Sequence, residues 1–257
     1  MAKTIAVTFE KGGVGKTTTA VNVAAILAER EYRVLLVDLD PQAYATSYFG
    51  LYQDKKPGMY QVMAENFPAE EAVIPTKYDR LALLPATHQL ENVETYLSTI
   101  SYDQEYILRD ALLPLDDAYD FIVLDCPPAG VRIKTNALAA SDGLILPTIP
   151  DSFAITGLMR LSKQMAGITR RVNPALRVLG VLFTLDERTT VKQTFAQALR
   201  ESAPFPCFAA TIHKSAPLTT AQAMRQPVIY YDRRSAGAQD YLAFVEELLK
   251  EVDGDAE

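Results

Sequence analysis

At 257 residues, with 49% apolar and 22% charged side chains and a net charge of −7, the chain can bury a core of α/β size and is not composed like a disordered one. No run approaches the roughly 18 apolar residues that a membrane-crossing helix needs, and the apolar stretch after Met1 is too short for a secretory signal, so a cytoplasmic protein is expected. Cys126 and Cys207, with His88 and His213, are too few for a disulfide scaffold, a four-thiolate site within one chain or a His-rich metal site.

In chain order, short β-branched runs alternate with helix-length segments. Strands are expected at Thr4–Phe9, Arg33–Asp38, Leu81–Pro85, Phe121–Asp125, Gly143–Ile149, Val178–Thr184 and Phe208–Ile212. Helices are expected at Lys16–Arg30, Tyr102–Leu113, Ala154–Thr169 and Thr190–Ser202. The strands are near-continuous apolar runs, such as Val34-Leu35-Leu36-Val37 and Phe121-Ile122-Val123-Leu124, rather than alternating ones. Strands buried on both faces read this way. The expected fold is therefore α/β, a mostly parallel twisted sheet of about 7–8 strands with helices on both faces, in a single domain over 1–257. Such sheets bind ligands beyond the carboxyl ends of their strands. The chemistry belongs just after residues 9, 38, 125, 149 and 184.

The first of these places reads Glu10-Lys11-Gly12-Gly13-Val14-Gly15-Lys16-Thr17-Thr18, between an expected strand and an expected helix. That is the context of a phosphate-binding loop. Gly12, Gly13 and Gly15 let successive amides turn toward an anion, and the helix N-terminus adds its own unpaired donors. Lys16 reaches the β- and γ-phosphates, and the Thr17 hydroxyl is placed to ligate Mg²⁺. The strict Walker form has glycine six residues before that lysine, where this chain has Glu10, and a second lysine, Lys11, lies inside the loop. Two further strand ends carry carboxylates. Asp38-Leu39-Asp40-Pro41 puts two of them at i and i+2, costly at the end of a buried strand unless they serve a cation or a water. Four apolar residues lead into Asp125, which matches a strand that presents a magnesium ligand, and Pro127-Pro128 stiffens the loop beyond it.

The loop with its extra lysine resembles the deviant Walker A loop of the ParA/MinD family of P-loop ATPases, and the likeness extends from about Lys3 to Lys250. The resemblance implies a P-loop NTPase fold with ATP and Mg²⁺ as cofactors, and hydrolysis of ATP. It also implies a homodimer that sandwiches two nucleotides, with Lys11 crossing to the partner's phosphates. By the same resemblance Asp40 positions the attacking water and Asp38 supports the Mg²⁺ shell. Thr184 and Asp186 fall in a loop that lies near the adenine. The nitrogenase iron protein shares the loop but needs two cysteines per chain for its cluster, and Cys207 lies too far along the chain to serve.

Within the family, Leu146–Pro150, Thr184–Thr189 and Val228–Ala238 resemble the ParA/Soj partition ATPases. These bind DNA non-specifically as ATP dimers and are released when a centromere-bound ParB-type partner stimulates hydrolysis, which makes them nucleoid-associated. Residues 151–240 hold twelve basic against six acidic residues, whereas 1–150 hold twelve against twenty. Arg188, Lys192, Lys214, Arg225, Arg233 and Arg234 are the expected phosphate contacts, which would be sequence-independent and salt-sensitive. The chain departs from the family pattern where Pro217 and Thr220 stand in a segment that is commonly more basic and carries a glutamate. No helix-turn-helix precedes the loop, so operator binding is not expected. Two alternatives share the ATPase. One is a positioning ATPase that spaces a protein cargo such as a carboxysome over the nucleoid. The other is a MinD-like division regulator, which needs a C-terminal helix that binds anionic lipid. The helix expected at the end of this chain has an apolar stripe (242, 245, 248, 249, 252) under an acidic polar face, which suits packing on the domain rather than a membrane.

Overall fold

The computed structural model describes residues 1–187 and 189–254. Eight strands form one sheet in the order β3-β4-β2-β5-β1-β6-β7-β8, where β1 is Lys3–Val7, β2 Val34–Asp38, β3 Ile74–Pro75, β4 Leu81–Leu84, β5 Phe121–Asp125, β6 Gly143–Thr148, β7 Arg177–Asp186 and β8 Cys207–His213. All neighbours are parallel except β3 with β4. The apolar runs behave as expected, and every residue of β2, β5 and β6 is buried. One apolar cluster lies on each face of the sheet. On one side the helix Lys16–Glu29 covers β1, β2 and β5, and the C-terminal helix Ala236–Asp253 packs beside it against β7 and β8. On the other, Val131–Ala139 and Ala154–Arg171 contribute Ile133, Leu158 and Leu161.

Each of the seven expected strands is present, within about two residues at each end. β3 is new, two residues long and too short to show a pattern. The helix expected at Tyr102–Leu113 begins only at Ile107, because Asp103 takes a left-handed turn (φ +56°) whose carbonyl accepts the Tyr106 amide. In the C-terminal helix Val245, Leu248 and Val252 of the expected stripe are buried together with Tyr241 and Phe244, while Leu242 and Leu249 are half-buried, and the Tyr241 hydroxyl lies 3.1 Å from that of Thr19. Among the described residues no helix is long and apolar enough to cross a membrane.

Both borders of the sheet are finished by specific groups. Pro75 in β3 has no amide to donate. At β8, Glu247 accepts the Ala209 and Ala210 amides at 2.7 and 2.9 Å, and Asp240 accepts that of His213 at 2.9 Å. The Arg200 guanidinium donates to the carbonyls of Phe208 and Ala209. Backbone groups that a further strand would use are thus held by charged side chains.

Candidate functional site

Three strands that are neighbours in space deliver the site. β2, β5 and β1 lie side by side, with Asp38 opposite Asp125 and Val7 opposite Asp125. The loop after β1 enters the helix Lys16–Glu29 directly. Gly13 and Gly15 sit at φ +74° and +82°, a conformation that side chains resist, and this turns the loop's amides toward one point. A Cβ at Gly12 or Gly13 would meet no protein atom within 4 Å, so the outer surface of the loop is bare backbone. The helix has neither a capping side chain nor an acid in its first turn, which leaves its first amides to an anion.

Lys16 is buried and its ammonium donates to the Lys11 carbonyl across the loop at 3.1 Å. Burial pulls its pKa down, and Asp125 and Asp40 oppose that fall. Thr184, at the end of β7, fastens the loop from behind, its hydroxyl donating to the Val14 carbonyl at 2.9 Å. Gly15, Thr18, Thr184, Leu185 and Lys214 line a cavity of about 160 Å³. Asp186 is not part of that lining. Its carboxylate lies 3.8 Å from His213 Nε2. Lys11 stands at the rim, its side chain 44% exposed, and pairs with Asp151 of its own chain at 2.5 Å. Burial would raise the Asp151 pKa, but Lys11 and the Phe153 and Ala154 amides outweigh it and hold the carboxyl below its usual range.

The carboxylates divide their work. Asp38 is fully buried and its oxygens are committed, Oδ2 to the amide and hydroxyl of Thr46 at 2.8 and 2.7 Å and Oδ1 to the Asp40 amide at 3.1 Å. Burial still pushes its pKa up to about 6. Asp40 accepts the Gln42 amide through Oδ1 at 2.9 Å and remains at the surface of the site, 8% exposed. Asp125 is different. It is 1% exposed and neither of its oxygens accepts a hydrogen bond. Burial and then Asp38 hold its pKa well above the usual carboxylate range, and Thr17 and Lys16 soften that rise. Ala43 and Leu185, just beyond Asp40 and Thr184, take left-handed conformations (φ +51° and +52°), which cost about 1–2 kcal/mol each and concentrate strain around the site.

Thr46, Asp151 and the buried pairing of Asp38 are not evident from the sequence. Asp151 has a usable signal, since it lies just past a strand end at the correct side of the sheet. Thr46 has none. Three of the six basic residues expected to meet DNA are paired with carboxylates of the same chain. Lys214 and Lys192 both face Glu187, at 2.7 and 3.8 Å, and Lys192 also donates to the Leu185 carbonyl. Arg233 is paired with Glu29. Arg225 and Arg234 are exposed and make no ion pair among the described residues, and Arg188 lies outside the described residues. Exposed cations also stand along the helix Ala154–Arg171, at Lys163, Arg170 and Arg171.

Known proteins share both the sequence and the fold. A family model described as AAA domain matches residues 2–178. The chromosome partitioning protein ParA of Myxococcus xanthus is 37% identical over 253 residues, 97% of this chain and 89% of that protein. The sporulation initiation inhibitor protein Soj of Bacillus subtilis is 37% identical over 255 residues, 98% of each chain. A solved structure described as cobyrinic acid a,c-diamide synthase from Mycobacterium smegmatis, with bound ATP analog and magnesium, superposes with a TM-score of 0.89 at 30% identity, covering 100% of this chain and 97% of that one. The residues present suit the ion that accompanies ATP. The unpartnered buried oxygens of Asp125 beside the Thr17 hydroxyl form an outlet for a hydrated Mg²⁺, although no cluster of three or more His, Cys, Asp or Glu side chains that could hold a metal exists among the described residues. The sheet order, the glycine loop with its two lysines and the near-complete alignment agree, and the chain belongs to the ParA/Soj-type partition ATPases, hydrolysing ATP with Mg²⁺ as cofactor.

Proposed function

We propose that this chain is a partition switch. Two ATP-bound copies close on each other, the pair binds DNA without sequence preference, and hydrolysis stimulated by a ParB-type centromere-binding partner releases it. The site would then operate in the cytoplasm, over the nucleoid. Lys11 is the observation that carries the reading. Lys16 already serves the interior of the loop, whereas Lys11 holds its ammonium at the exposed rim by one accessible ion pair, free to be traded for a second molecule's phosphates. Bound Mg²⁺ would neutralise charge between the β- and γ-phosphates, with Thr17 and Asp125 holding it and Asp38 fixing the neighbouring backbone through Thr46. Amides of residues 12–18 bind the phosphate oxygens, Lys16 balances their charge, and Asp40 orients the water.

Two results are expected. Lys16→Ala weakens MgADP binding about 100-fold, because a buried charge-assisted contact is lost and Asp125 loses its nearest cation, and isothermal titration calorimetry reads this directly. DNA binding, titrated with ATP, ADP or no nucleotide at two salt concentrations, appears with ATP alone and weakens steeply with salt. Binding that ignores the nucleotide removes the switch. Light scattering in the same samples reports whether ATP pairs the chains.

A further inference from the structure

The helix Val131–Ala139 begins immediately after the loop 126–130 that leaves Asp125, and its own sequence does not cap it. Gly130 has no side chain to offer, and the first turn has no acid. The missing acceptor comes from another part of the fold. Glu94 accepts the Ile133 amide through Oε1 at 2.9 Å and the Arg132 amide through Oε2 at 3.3 Å. A second observation is independent of these bonds. Gly130 sits at φ +95°, and a Cβ there would lie 2.9 Å from Glu94 Oε1 and 2.8 Å from Ile133 Cγ2, so the loop is packed directly under the carboxylate. Third, Glu94 is a fixed post. Its helix Val93–Thr99 is anchored by Val93 and Leu97, both at most 1% exposed. The same side chain lines a cavity of about 360 Å³ whose walls include residues 40–42 and 127–130.

We propose that Glu94 is a positioning residue for ATP hydrolysis, holding the loop 126–130 at a set distance from Asp40 without touching the nucleotide. The proposal rests on the ATPase reading of the site. Any movement of that loop during turnover must break the Glu94 bonds to the Arg132 and Ile133 amides or carry the 93–99 helix with it. Loss of the carboxylate lets the loop sample positions in which Asp125 and Asp40 no longer face one phosphate group together.

The test compares Glu94→Ala and Glu94→Gln with the unaltered chain. Steady-state hydrolysis of MgATP gives kcat and KM, calorimetry gives MgADP affinity, and thermal unfolding reports integrity. In Glu94→Ala, kcat falls about fivefold to tenfold, the scale of one lost helix cap expressed in a loop equilibrium, while KM and MgADP affinity change less than about twofold. Glu94→Gln, whose amide oxygen still accepts the Ile133 amide, recovers at least half of the loss. An unchanged or raised kcat in Glu94→Ala overturns the proposal, as does a parallel loss of kcat, nucleotide affinity and Tm that Gln does not repair. Absence of hydrolysis in the unaltered chain would count against the ATPase reading and not against Glu94.

Discussion

Replacing Asp40 with alanine leaves MgATP binding within a few-fold of the unaltered chain and lowers hydrolysis about 100-fold or more. The separation arises from how the segment is built. Asp38 and Thr46, not Asp40, hold this turn together, through bonds of 2.7–3.1 Å that the substitution leaves in place, and Pro41 restricts the backbone regardless of the side chain at 40. What disappears is a carboxylate at the surface of the site with only Oδ1 engaged, by the Gln42 amide. Phosphate release measured beside equilibrium nucleotide binding gives both numbers. In the proposed cycle the variant also accumulates as an ATP-bound pair on DNA, visible by co-sedimentation. Normal turnover in Asp40→Ala would transfer the water to another group and leave Asp40 a structural turn residue.

Asp125→Asn is expected to move activity and stability in opposite directions. Turnover falls about 100-fold or more, because an amide is a poor ligand for a hard cation. The metal-free protein becomes more stable, by about 1–2 kcal/mol, since the native carboxylate is 1% exposed, receives no hydrogen bond and faces Asp38. Asparagine matches its shape and carries no charge. Thermal unfolding without Mg²⁺ or nucleotide should show a higher Tm, by roughly 2–8 °C for a chain of this size. A lower Tm would show that the charge balance between Asp125 and buried Lys16 outweighs the cost of burying the carboxylate.

The parts of this site that are legible in the sequence are those in which local spacing dictates local structure. Lys11 to Thr18, Asp38 with Asp40, and Asp125 each sit where an apolar strand ends, and parallel packing brings those ends together without further information. The unread residues depend on contacts between distant segments. Glu94 lies on a helix between β4 and β5, and nothing in its neighbourhood marks it as the cap of a helix starting 37 residues later. The pairing of the cations expected to meet DNA is illegible for the same reason. Counting charges between 151 and 240 finds a basic surplus, but Glu187 and Glu29 neutralise three of the six chosen cations through pairings that only the fold creates. Periodicity alone places Val245, Leu248 and Val252 of the C-terminal helix in the core but misses that the aromatic Tyr241 and Phe244 are buried beside them.

The carboxylates and guanidinium along β8, with the proline at the opposite border, have a bearing on how copies of this molecule can meet. Lateral growth by strand addition at β8 would have to evict Glu247, Asp240 and Arg200 from hydrogen bonds already made, and at the opposite border Pro75 removes a donor that an added strand would use. The pairing proposed above, at the end of the sheet that carries the glycine loop, would as a twofold arrangement terminate after one partner instead of propagating.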